Sequence, residues 1–407
     1  MSKLDELIAE LCPDGVEYKE IDEIFELKNG YTPSKRNNDF WENGTVPWFT
    51  LNDIRTNGRL LDDSIQHVTE DGVKGGKLIP KGSIIMSTTA TIGEHALIKV
   101  DALTNQQITS FSLRTSYNNK LDIMFAFYYF FIYGEWCQKN ANQSGGMAII
   151  SLKKLKQFKI PLPPLAVQQE IVRILDNFTE LTAELTAELT ARRKQYEYYR
   201  DLLLTFGDEV EWKTLGEIGK LIRGSGLLKS DFVEEGFPCI HYGQIHTYYG
   251  TSATETISFV SVDKSKKLKK AKKGDVLIAG VSENVEDVCK PLAWLGGDIC
   301  ISGDMFAFRH NQNTKYITYL LQTTDFSRYK EKFAHGAKVT RLRQDKLLAY
   351  KIPVPPLEEQ ERIVAILDRF DALCNDLTSG IPAEIEARQK QYEYYRDKLL
   401  SFKEVTA

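Results

Sequence analysis

Two carboxylates and a lysine near the start of the chain, Asp14, Glu17 and Lys19, are residue types with which nucleases hold a metal ion. They stand in the segment PDGVEYK, where Asp14 and Glu17 lie only three residues apart. A nuclease site needs such carboxylates on two separate strands, and VEYK returns as VEWK at residues 210–213. We therefore interpret the segment as a structural entry into a folded unit.

Other motifs of catalysis are missing from the sequence. GSGLLKS at residues 224–230 lacks the spacing with which a glycine-rich loop surrounds phosphates. The sequence contains no HExxH or GxSxG motif, and no tetrapeptide of an amino-methyltransferase. The six cysteines form no CxxC pair, and the six histidines show no zinc spacing. We predict a protein without catalysis, metal or cofactor of its own.

Composition indicates a globular protein of two or more domains, since 407 residues exceed what one core usually organises. The net charge of −4 requires any DNA-binding cations to be gathered locally. The start of the chain lacks a signal-peptide core, and the apolar run at residues 123–133 is about half a membrane span. We expect a cytoplasmic protein in which that run packs in a core; a partner surface is the alternative.

The chain repeats itself. KQYEYYRD occurs at residues 194–201 and again at 390–397. Upstream, KIPLPPLAVQQEIVRILDNF at 159–178 matches KIPVPPLEEQERIVAILDRF at 351–370, and weaker matches follow in the same order between the two halves. Collinear matches of this kind indicate two tandem copies of one unit, each a variable region followed by a repeated segment.

The repeated segments are predicted to be long helices. Apolar residues after the prolines recur at steps of three and four for about 40 residues, typical of a coiled-coil seam. TAELTAEL at 182–189 adds a second consecutive step of four, which we interpret as a stutter. Gly380 and Pro382, within residues 377–384, predict a break in the second helix. The seam positions in the first helix are Ile171, Ile174, Phe178, Leu181, Leu185, Leu189, Tyr196, Tyr199, Leu203 and Phe206.

The variable regions alternate short β-rich runs with glycine turns and close on an aromatic helical stretch. This pattern predicts the α+β class, with two globular domains separated by two helical segments. The boundaries that we predict are 1–158 and 208–350 for the variable domains, and 159–207 and 351–407 for the helical segments.

The two variable domains, each followed by a PxPPLxxQxxIVxILDxF segment and a QYEYYRDxLLxF run, resemble the specificity subunit of type I restriction-modification systems. TAELTAEL narrows the resemblance to the type IC class. The resemblance implies a prokaryotic, non-catalytic reader of double-stranded DNA. Its two target recognition domains would each read half of a bipartite, asymmetric site, and two antiparallel helices related by a pseudo-twofold axis would separate them.

The resemblance also implies partners. Two methyltransferase subunits that use S-adenosylmethionine would bind the chain, and restriction subunits that translocate and cut DNA with ATP and Mg²⁺ would join them. No membrane is involved. A coiled-coil scaffold that binds proteins at its globular ends is the rival hypothesis.

Candidate DNA-binding residues are polar or cationic side chains in predicted loops, because base edges are read by dual donors and acceptors and phosphates by cations. The cationic run at 264–273 suits phosphate contact or a solvated face equally. In the first domain the candidates are Arg36, Asn52, Arg55, Thr88, Thr91, Asn105, Gln106, Gln107, Lys153 and Lys154; in the second they are His241, Tyr242, Gln244, His246, Ser282, Asn284, Lys338, Arg341 and Arg343.

The octapeptide is the candidate partner surface. One heptad seam buries only some of its tyrosines, and the remaining polar-tipped rings suit a protein interface. The residues assigned to this role are Tyr196, Tyr198, Tyr199, Arg200, Tyr392, Tyr394, Tyr395 and Arg396.

Overall fold

A computed structural model describes residues 3–144, 147–336, 339–375 and 380–405. The chain forms two compact units, of which the first is Met1–Thr182 together with Arg388–Ala407 and the second is Ala183–Ala387. Each unit thus combines one variable domain with portions of both repeated helical segments. Within the described ranges, no helix is both long enough and apolar enough to span a bilayer.

The first variable domain and the long helix after it consist of the following elements in chain order: α1 (Lys3–Leu11), β1 (Tyr18–Glu20), α2 (Ile21–Ile24), β2 (Phe25–Asn29), β3 (Val46–Phe49), α3 (Leu51–Asn57), β4 (Leu60–Leu61), β5 (His67–Val68), β6 (Ile84–Ser87), β7 (His95–Ile98), β8 (Leu103–Thr104), β9 (Ile108–Leu113), α4 (Ile123–Asn140), β10 (Asn142–Ser144), β11 (Met147–Ile149), α5 (Leu152–Leu155), β12 (Lys159–Pro161) and α6 (Leu165–Leu203).

The second half continues with β13 (Trp212–Thr214), α7 (Leu215–Ile218), β14 (Gly219–Arg223), β15 (Phe232–Val233), β16 (Phe237–Ile240), α8 (Tyr242–Thr247), β17 (Ser252–Ala253), β18 (Ser258–Val260), α9 (Val262–Ser265), β19 (Lys270–Ala271), β20 (Val276–Ala279), β21 (Val281–Ser282), β22 (Pro291–Trp294), β23 (Ile299–Ile301), β24 (Met305–His310), α10 (Thr314–Leu320), α11 (Thr324–Phe333), β25 (Thr340–Arg341), α12 (Gln344–Leu348), β26 (Lys351–Pro353), α13 (Leu357–Asn375) and α14 (Ile381–Leu399).

The two variable domains share one topology although their sequences differ. Each contains a five-stranded sheet, in the order β2-β9-β6-β7-β4 in the first unit and β14-β24-β20-β22-β17 in the second. A second sheet has three strands in the first unit, in the order β5-β3-β8, and five in the second, in the order β15-β18-β16-β23-β19; β3 and β16 hold corresponding places in the two sheets. The central strands β6 and β20 are buried along their whole length, as strands covered on both faces must be.

A short antiparallel pair closes each domain at the point where the repeated segment begins. In the first unit Lys19 lies opposite Ile160, and in the second Lys213 lies opposite Ile352. The last two residues of VEYK and of its copy VEWK therefore lie in paired strands, which agrees with the interpretation as a structural entry segment. This pairing brings the start and the end of each domain together on the repeated helices.

The aromatic run at residues 123–133 lies in α4 and is core. Phe125, Phe130 and Tyr133 are fully buried, and the Tyr133 hydroxyl donates to the carbonyl of Leu155 over 2.8 Å. Edge-to-face contacts join Phe130 to Phe111 and Tyr133, the geometry that aromatic rings prefer in cores. Core packing, the first of the two interpretations, is confirmed.

The helix predicted from the first repeated segment is α6, 39 residues long. Its partly or fully buried row runs through Leu175, Phe178, Thr182, Leu185 and Leu189, in alternating steps of three and four. Leu181, which the prediction placed on the seam, is 45% exposed. The stutter inferred from Leu181 is therefore wrong, because the small polar Thr182 takes the seam position.

The second repeated segment contains two helices. α13 ends at Asn375 and α14 begins at Ile381, with Pro382 in its first turn, where a missing N–H costs nothing. Part of the predicted break, residues 376–379, lies outside the described residues. In the second unit the end of α6 packs against α13, since Arg193 donates to the carbonyl of Cys374 and Tyr199 contacts Phe370. These contacts run in opposite directions along the two helices, which makes the pair antiparallel.

Candidate nucleic-acid interface

Each domain presents one loop directly after its central strand, and several of the predicted DNA-binding residues lie in or against these two loops. We define loop 1 as residues 88–94, after β6, and loop 2 as residues 280–290, after β20. Both loops leave a rigid, fully buried strand. A loop positioned by such a scaffold is the usual location of a binding surface.

Loop 1 receives Arg55 from α3. The Arg55 guanidinium forms two hydrogen bonds with the Glu94 carboxylate, at 2.7 and 3.0 Å, and a third with Thr91 Oγ1 at 3.1 Å. The carboxylate raises the pKa of Arg55. Arg55 and Thr91, predicted from separate segments, therefore lie side by side on an exposed surface. The paired guanidinium is held in one orientation.

The TNQQ segment adjoins loop 1. The Thr88 N–H and hydroxyl both donate to the carbonyl of Gln107, at 2.9 and 3.3 Å, and the Asn105 amide oxygen accepts from the Gln107 N–H at 3.1 Å. Thr88 and Asn105 are buried, and their polar groups bond within the domain. Gln106 is exposed and hydrogen-bonded to Thr32. Of these residues, Gln106 and half-buried Gln107 have surface to offer a ligand.

Loop 2 is joined by two distant segments. Its first residues form β21, in which Val281 pairs with Arg341 and Ser282 with Thr340 of β25. From α8, the His246 Nε2–H donates to the carbonyl of Val281 at 3.2 Å. His246, Ser282 and Arg341, predicted from three separate segments, are thus adjacent, and the side chain of Arg341 is exposed.

The outer part of loop 2 is a hydrogen-bonded turn. Asn284 donates from Nδ2 to the Asp287 carboxylate at 2.9 Å and accepts from the Asp287 N–H at 2.7 Å. Glu283 and Glu286 flank it on the exposed side. Since carboxylates repel phosphates, such a surface suits base edges with amino donors rather than the DNA backbone.

Two residues of HYGQIH have a structural task that the sequence did not indicate. His241 is the N-cap of α8; its Nδ1 accepts from the Gly243 N–H at 3.2 Å, and its own N–H donates to Gln244 Oε1 at 2.8 Å. The Gln244 amide then donates to Ser258 Oγ at 2.7 Å. Partial burial and Lys229 lower the pKa of His241, which favours the neutral ring that the cap requires. Gln244 therefore has little bonding capacity left for DNA.

The remaining predicted residues lie apart from the loop contacts. Lys154 is committed within the domain, because its Nζ donates to the Asn140 carbonyl at 2.7 Å. Lys338 lies outside the described residues. Tyr242 is half-buried beside the His241 ring. The exposed candidates are Arg36, Asn52, Lys153 and Arg343, of which Arg343 pairs with Asp345 at 2.9 Å.

An open pocket of about 400 Å³, lined in part by Lys35, the neighbour of Arg36 in the sequence, is formed by residues that sequence reasoning missed. Lys35 lies over the Trp48 ring at 6.0 Å, and Trp41 packs edge-on against the same ring. The segment SKRNNDFW carries these cations and aromatic rings together, and that composition was the available signal. The lining consists of Lys35, Asn38, Trp41, Gln66 and His67.

The cationic run at 264–273 is partly used within the domain. Lys264 pairs with Asp231 at 3.0 Å, Lys266 with Asp263 at 2.9 Å, and Lys270 lies 4.1 Å from the centre of the Phe237 ring. These contacts account for three of its lysines without DNA.

Part of each octapeptide is internal to its own unit. In the second unit Tyr196 and Arg200 are buried, and Arg200 lies over the Tyr196 ring while bonding to Asp201. In the first unit Arg396 is likewise buried, and its guanidinium lies 4.8 Å from the centre of the Phe131 ring and 5.9 Å from the centre of the ring of half-buried Tyr392. Tyr196, Arg200 and Arg396 therefore have almost no surface for a partner, and Tyr392 has only part of its ring exposed.

The outer tyrosines divide into two kinds. Tyr199 stacks on Phe370 and Tyr395 on Phe178, so these rings hold the helix pairs together. Tyr198 and Tyr394 are 64% and 63% exposed, and each packs edge-on against the ring of the next tyrosine. The partner role predicted for eight residues is thus supported best for Tyr198 and Tyr394.

Other residues of the repeated segments also form hydrogen bonds within their own units. The buried Gln168 amide accepts from the Asp122 N–H and donates to the carbonyls of Pro163 and Lys120, all within 2.8 Å. Its copy Gln360 accepts from the Asn313 N–H and donates to the Pro355 carbonyl. The repeated sequence is therefore explained largely by a scaffold that each unit needs.

No cluster of His, Cys, Asp and Glu side chains suited to a metal ion occurs in the part of the chain that the structure describes. The six cysteines are free and buried. The candidate surfaces consist of amides, hydroxyls, carboxylates and cations that form hydrogen bonds, an arrangement suited to recognition.

Comparison with known proteins agrees with an arrangement suited to recognition. The family described as type I restriction modification DNA specificity domain matches residues 13–192 and again 207–387. The type I restriction enzyme EcoprrI specificity subunit of Escherichia coli is 40% identical over 93% of both chains. The EcoR124I/EcoR124II specificity subunit of the same organism is 43% identical over 62% of this chain and 65% of its own length.

A solved chain from a study of assembly and conformational transition in the type I R-M system has the same fold. It superposes with a TM-score of 0.64, covering 95% of this chain and 98% of its own length, at 19% identity. The predicted fold class, two α+β domains with long antiparallel helices, is confirmed. Two matched copies of the family domain and a 40% identical specificity subunit identify the chain as a member of the type I restriction-modification specificity subunits, which do not catalyse a reaction themselves.

Proposed function

We propose that each variable domain reads one half of a bipartite, asymmetric target in double-stranded DNA. The observation that carries this is a duplicated scaffold with divergent loops. The main sheets and the closing strand pairs repeat, whereas loops 1 and 2 differ in sequence and in their outer side chains. Two equivalent scaffolds place two reading surfaces in equivalent roles, and different surfaces select different half-sites.

Within each surface, the exposed side chains would contact the DNA bases, and the buried ones would hold the loops in place. In the first domain Arg55 and Thr91 offer donors and acceptors at loop 1, and exposed Gln106 does so in the TNQQ segment. The pocket lined by Lys35, the neighbour of exposed Arg36 in the sequence, offers another site. In the second domain Ser282, Arg341 and the loop 2 carboxylates offer donors and acceptors. Asparagine, glutamine and arginine contribute forked contacts to purines, and carboxylates accept from cytosine.

The helices would set the number of base pairs between the half-sites. Four helical residues add ~6 Å and turn ~40° beyond a full revolution, against ~3.4 Å and ~35° for one base pair. One TAEL more or fewer would therefore change the unread spacer by about one base pair. Although the stutter interpretation is wrong, this arithmetic is unchanged, since rise and turn depend only on the number of helical residues added or removed.

Two methyltransferase subunits would bind the repeated helices, and restriction and translocase subunits would join them. Tyr198 and Tyr394 support this, because two large exposed aromatic rings in equivalent settings suit two copies of one partner. S-adenosylmethionine, ATP and Mg²⁺ would then be bound by the partners, and the complex would act on DNA in a prokaryotic cytoplasm.

Methylation mapping of the assembled complex tests the proposal. The chain, its methyltransferase partner and both together would be incubated with a random duplex library and S-adenosylmethionine, and methylated positions read by long-read sequencing. We expect a two-part, non-palindromic site that is methylated only by the mixture. A protein scaffold without DNA recognition would leave the sequence preference of the methyltransferase unchanged by this chain.

A further inference from the structure

Lys330 is a buried cation that none of the functions above uses. It lies in the last turn of α11 and is 4% exposed. Its Nζ donates to two backbone carbonyls of loop 2, Glu286 at 2.7 Å and Val288 at 3.0 Å. Among the described residues, no carboxylate lies within ion-pair distance of this ammonium.

Burial of the Lys330 ammonium costs free energy. Burial lowers the pKa of Lys330, and an ammonium withdrawn from water needs compensation by dipoles or rings. Here the compensation comes from the two carbonyls and from the Phe326 ring at 5.6 Å. Methionine would fill the same space without that cost, so packing alone does not explain a lysine.

Loop 1 has an equivalent arrangement made with a different residue. Gln138, in the last turn of α4, donates from Nε2 to the Ile92 carbonyl at 2.8 Å. Gly93 and Gly134 allow the approach, because a Cβ on Gly93 would lie 2.7 Å from the Gly134 carbonyl oxygen, and Gly93 has a φ of +92°. The loop and the helix are therefore built to touch.

Two further contacts to each loop also recur in both units. Arg55 from α3 and His246 from α8 reach loops 1 and 2 from the helix that follows β3 or β16. The segment before each repeated helix pairs with the loop backbone, through Ala90 N–H to the Ala148 carbonyl in the first unit and through β21 and β25 in the second. Each loop is held from three sides although the residues differ.

We propose that Lys330 and Gln138 are positioning residues for target recognition: each fixes the backbone of the loop whose outer side chains read one half of the DNA site. The inference rests on the proposed function, since it requires two half-sites. Its physical reason is preorganisation, because a loop already held in its binding shape loses less entropy on binding and tolerates fewer alternative bases.

The test uses the complex of this chain with its methyltransferase partner, and four variants. Lys330→Met removes the contact to loop 2, and Lys330→Gln substitutes the residue type used on loop 1. Gln138→Leu removes the contact to loop 1. Lys332→Met is the matched control, because it removes the same charge from an exposed position of the same helix.

For Lys330→Met we expect base discrimination to fall at least about tenfold in the half-site of the second domain, with the other half unchanged. Gln138→Leu should lower base discrimination in the half-site of the first domain and leave the other half unchanged. Lys330→Gln should keep most of the discrimination, and Lys332→Met should match wild type. Hydrogen exchange of the loop 2 amides should accelerate at least about tenfold in Lys330→Met alone.

A merely structural role would lower methylation of every site together and leave base preference intact in both halves, and that result overturns the inference. If Lys330→Met does not assemble, wild-type preference in Gln138→Leu with faster loop 1 exchange overturns it equally. A wild-type target that is not bipartite would contradict the proposed function itself, which separates the two failures.

Discussion

Tyr395 stacks on Phe178 with 5.6 Å between ring centroids and 23° between ring planes. The duplicated pair, Tyr199 on Phe370, repeats the contact at 5.7 Å and 24°. In each unit, the octapeptide of one repeated segment therefore packs on the ILDxF motif of the other. Both motifs occur in each repeated segment because each helix pair needs an octapeptide from one segment and an ILDxF motif from the other.

Substitutions of neighbouring tyrosines should separate assembly from stability. Tyr198→Ala with Tyr394→Ala should weaken methyltransferase binding by roughly 1–3 kcal/mol without lowering the melting temperature, as expected for exposed interface aromatics. Titration of the partner, followed by calorimetry, measures this. Equal affinity for wild type and the double variant would rule out these rings as the contact.

Tyr199→Ala with Tyr395→Ala should behave in the opposite way. Loss of two stacked rings from the helix pairs should destabilise the chain by about 1–3 kcal/mol for each ring. Thermal melting of the chain alone measures the effect. An unchanged melting temperature together with lost partner binding would restore the broader interface first predicted from the octapeptide.

The duplication, the long helices and the α+β class followed from the sequence because identical segments and heptad spacing are local signals. The residues that hold loop 2 did not. His246, Lys330 and Arg341 converge on it from α8, α11 and β25, and no pattern in one sequence reports such distant contacts. Leu181 was misplaced because hydrophobicity favoured it over Thr182, which the helix geometry places on the seam.

The buried amide of Gln168 gives a test of the scaffold. Gln168→Leu should leave the Asp122 N–H and the Pro163 carbonyl without partners, at a cost of roughly 1–3 kcal/mol for each group. Urea unfolding measures the loss. Gln169→Leu is the control, since the adjacent side chain is exposed and should change stability little; similar losses in both variants would contradict the structural role.

The length of α6 can be changed by one TAEL repeat. Deleting residues 186–189 or inserting a further TAEL should move the preferred spacer by about one base pair down or up, because four residues turn the helix ~40° beyond a full revolution, close to the ~35° twist of one base pair, and lengthen it by ~6 Å. Methylation of a library with varied spacers measures the optimum. The same optimum for all three lengths would show that the helices do not set the spacing.

His310 should make the second unit sensitive to acid. Burial lowers its pKa to about 4, below the 6.5 of an unfolded histidine. The unfolded chain therefore takes up a proton first, and stability should fall as pH drops from 6.5 towards 4, by about 3 kcal/mol in all. His310→Leu, which carries the residue found at the same strand position in the first domain, should flatten this part of the melting-temperature profile.

An unchanged slope between pH 6.5 and 4 in His310→Leu would assign the acid sensitivity to other groups. The comparison needs both proteins to be equally folded at pH 7.5. That control comes from the same melting series.

Exchange of a whole domain tests the central claim most directly. A chimera with residues 16–158 in place of 210–350 keeps the closing strand pair, since Lys19 opposite Ile160 repeats Lys213 opposite Ile352. Assembled with its methyltransferase partner and mapped by long-read sequencing, it should methylate a palindromic target made of the first half-site twice, in opposite orientations. If the chimera assembles and still marks the asymmetric wild-type target, the domains do not read the DNA.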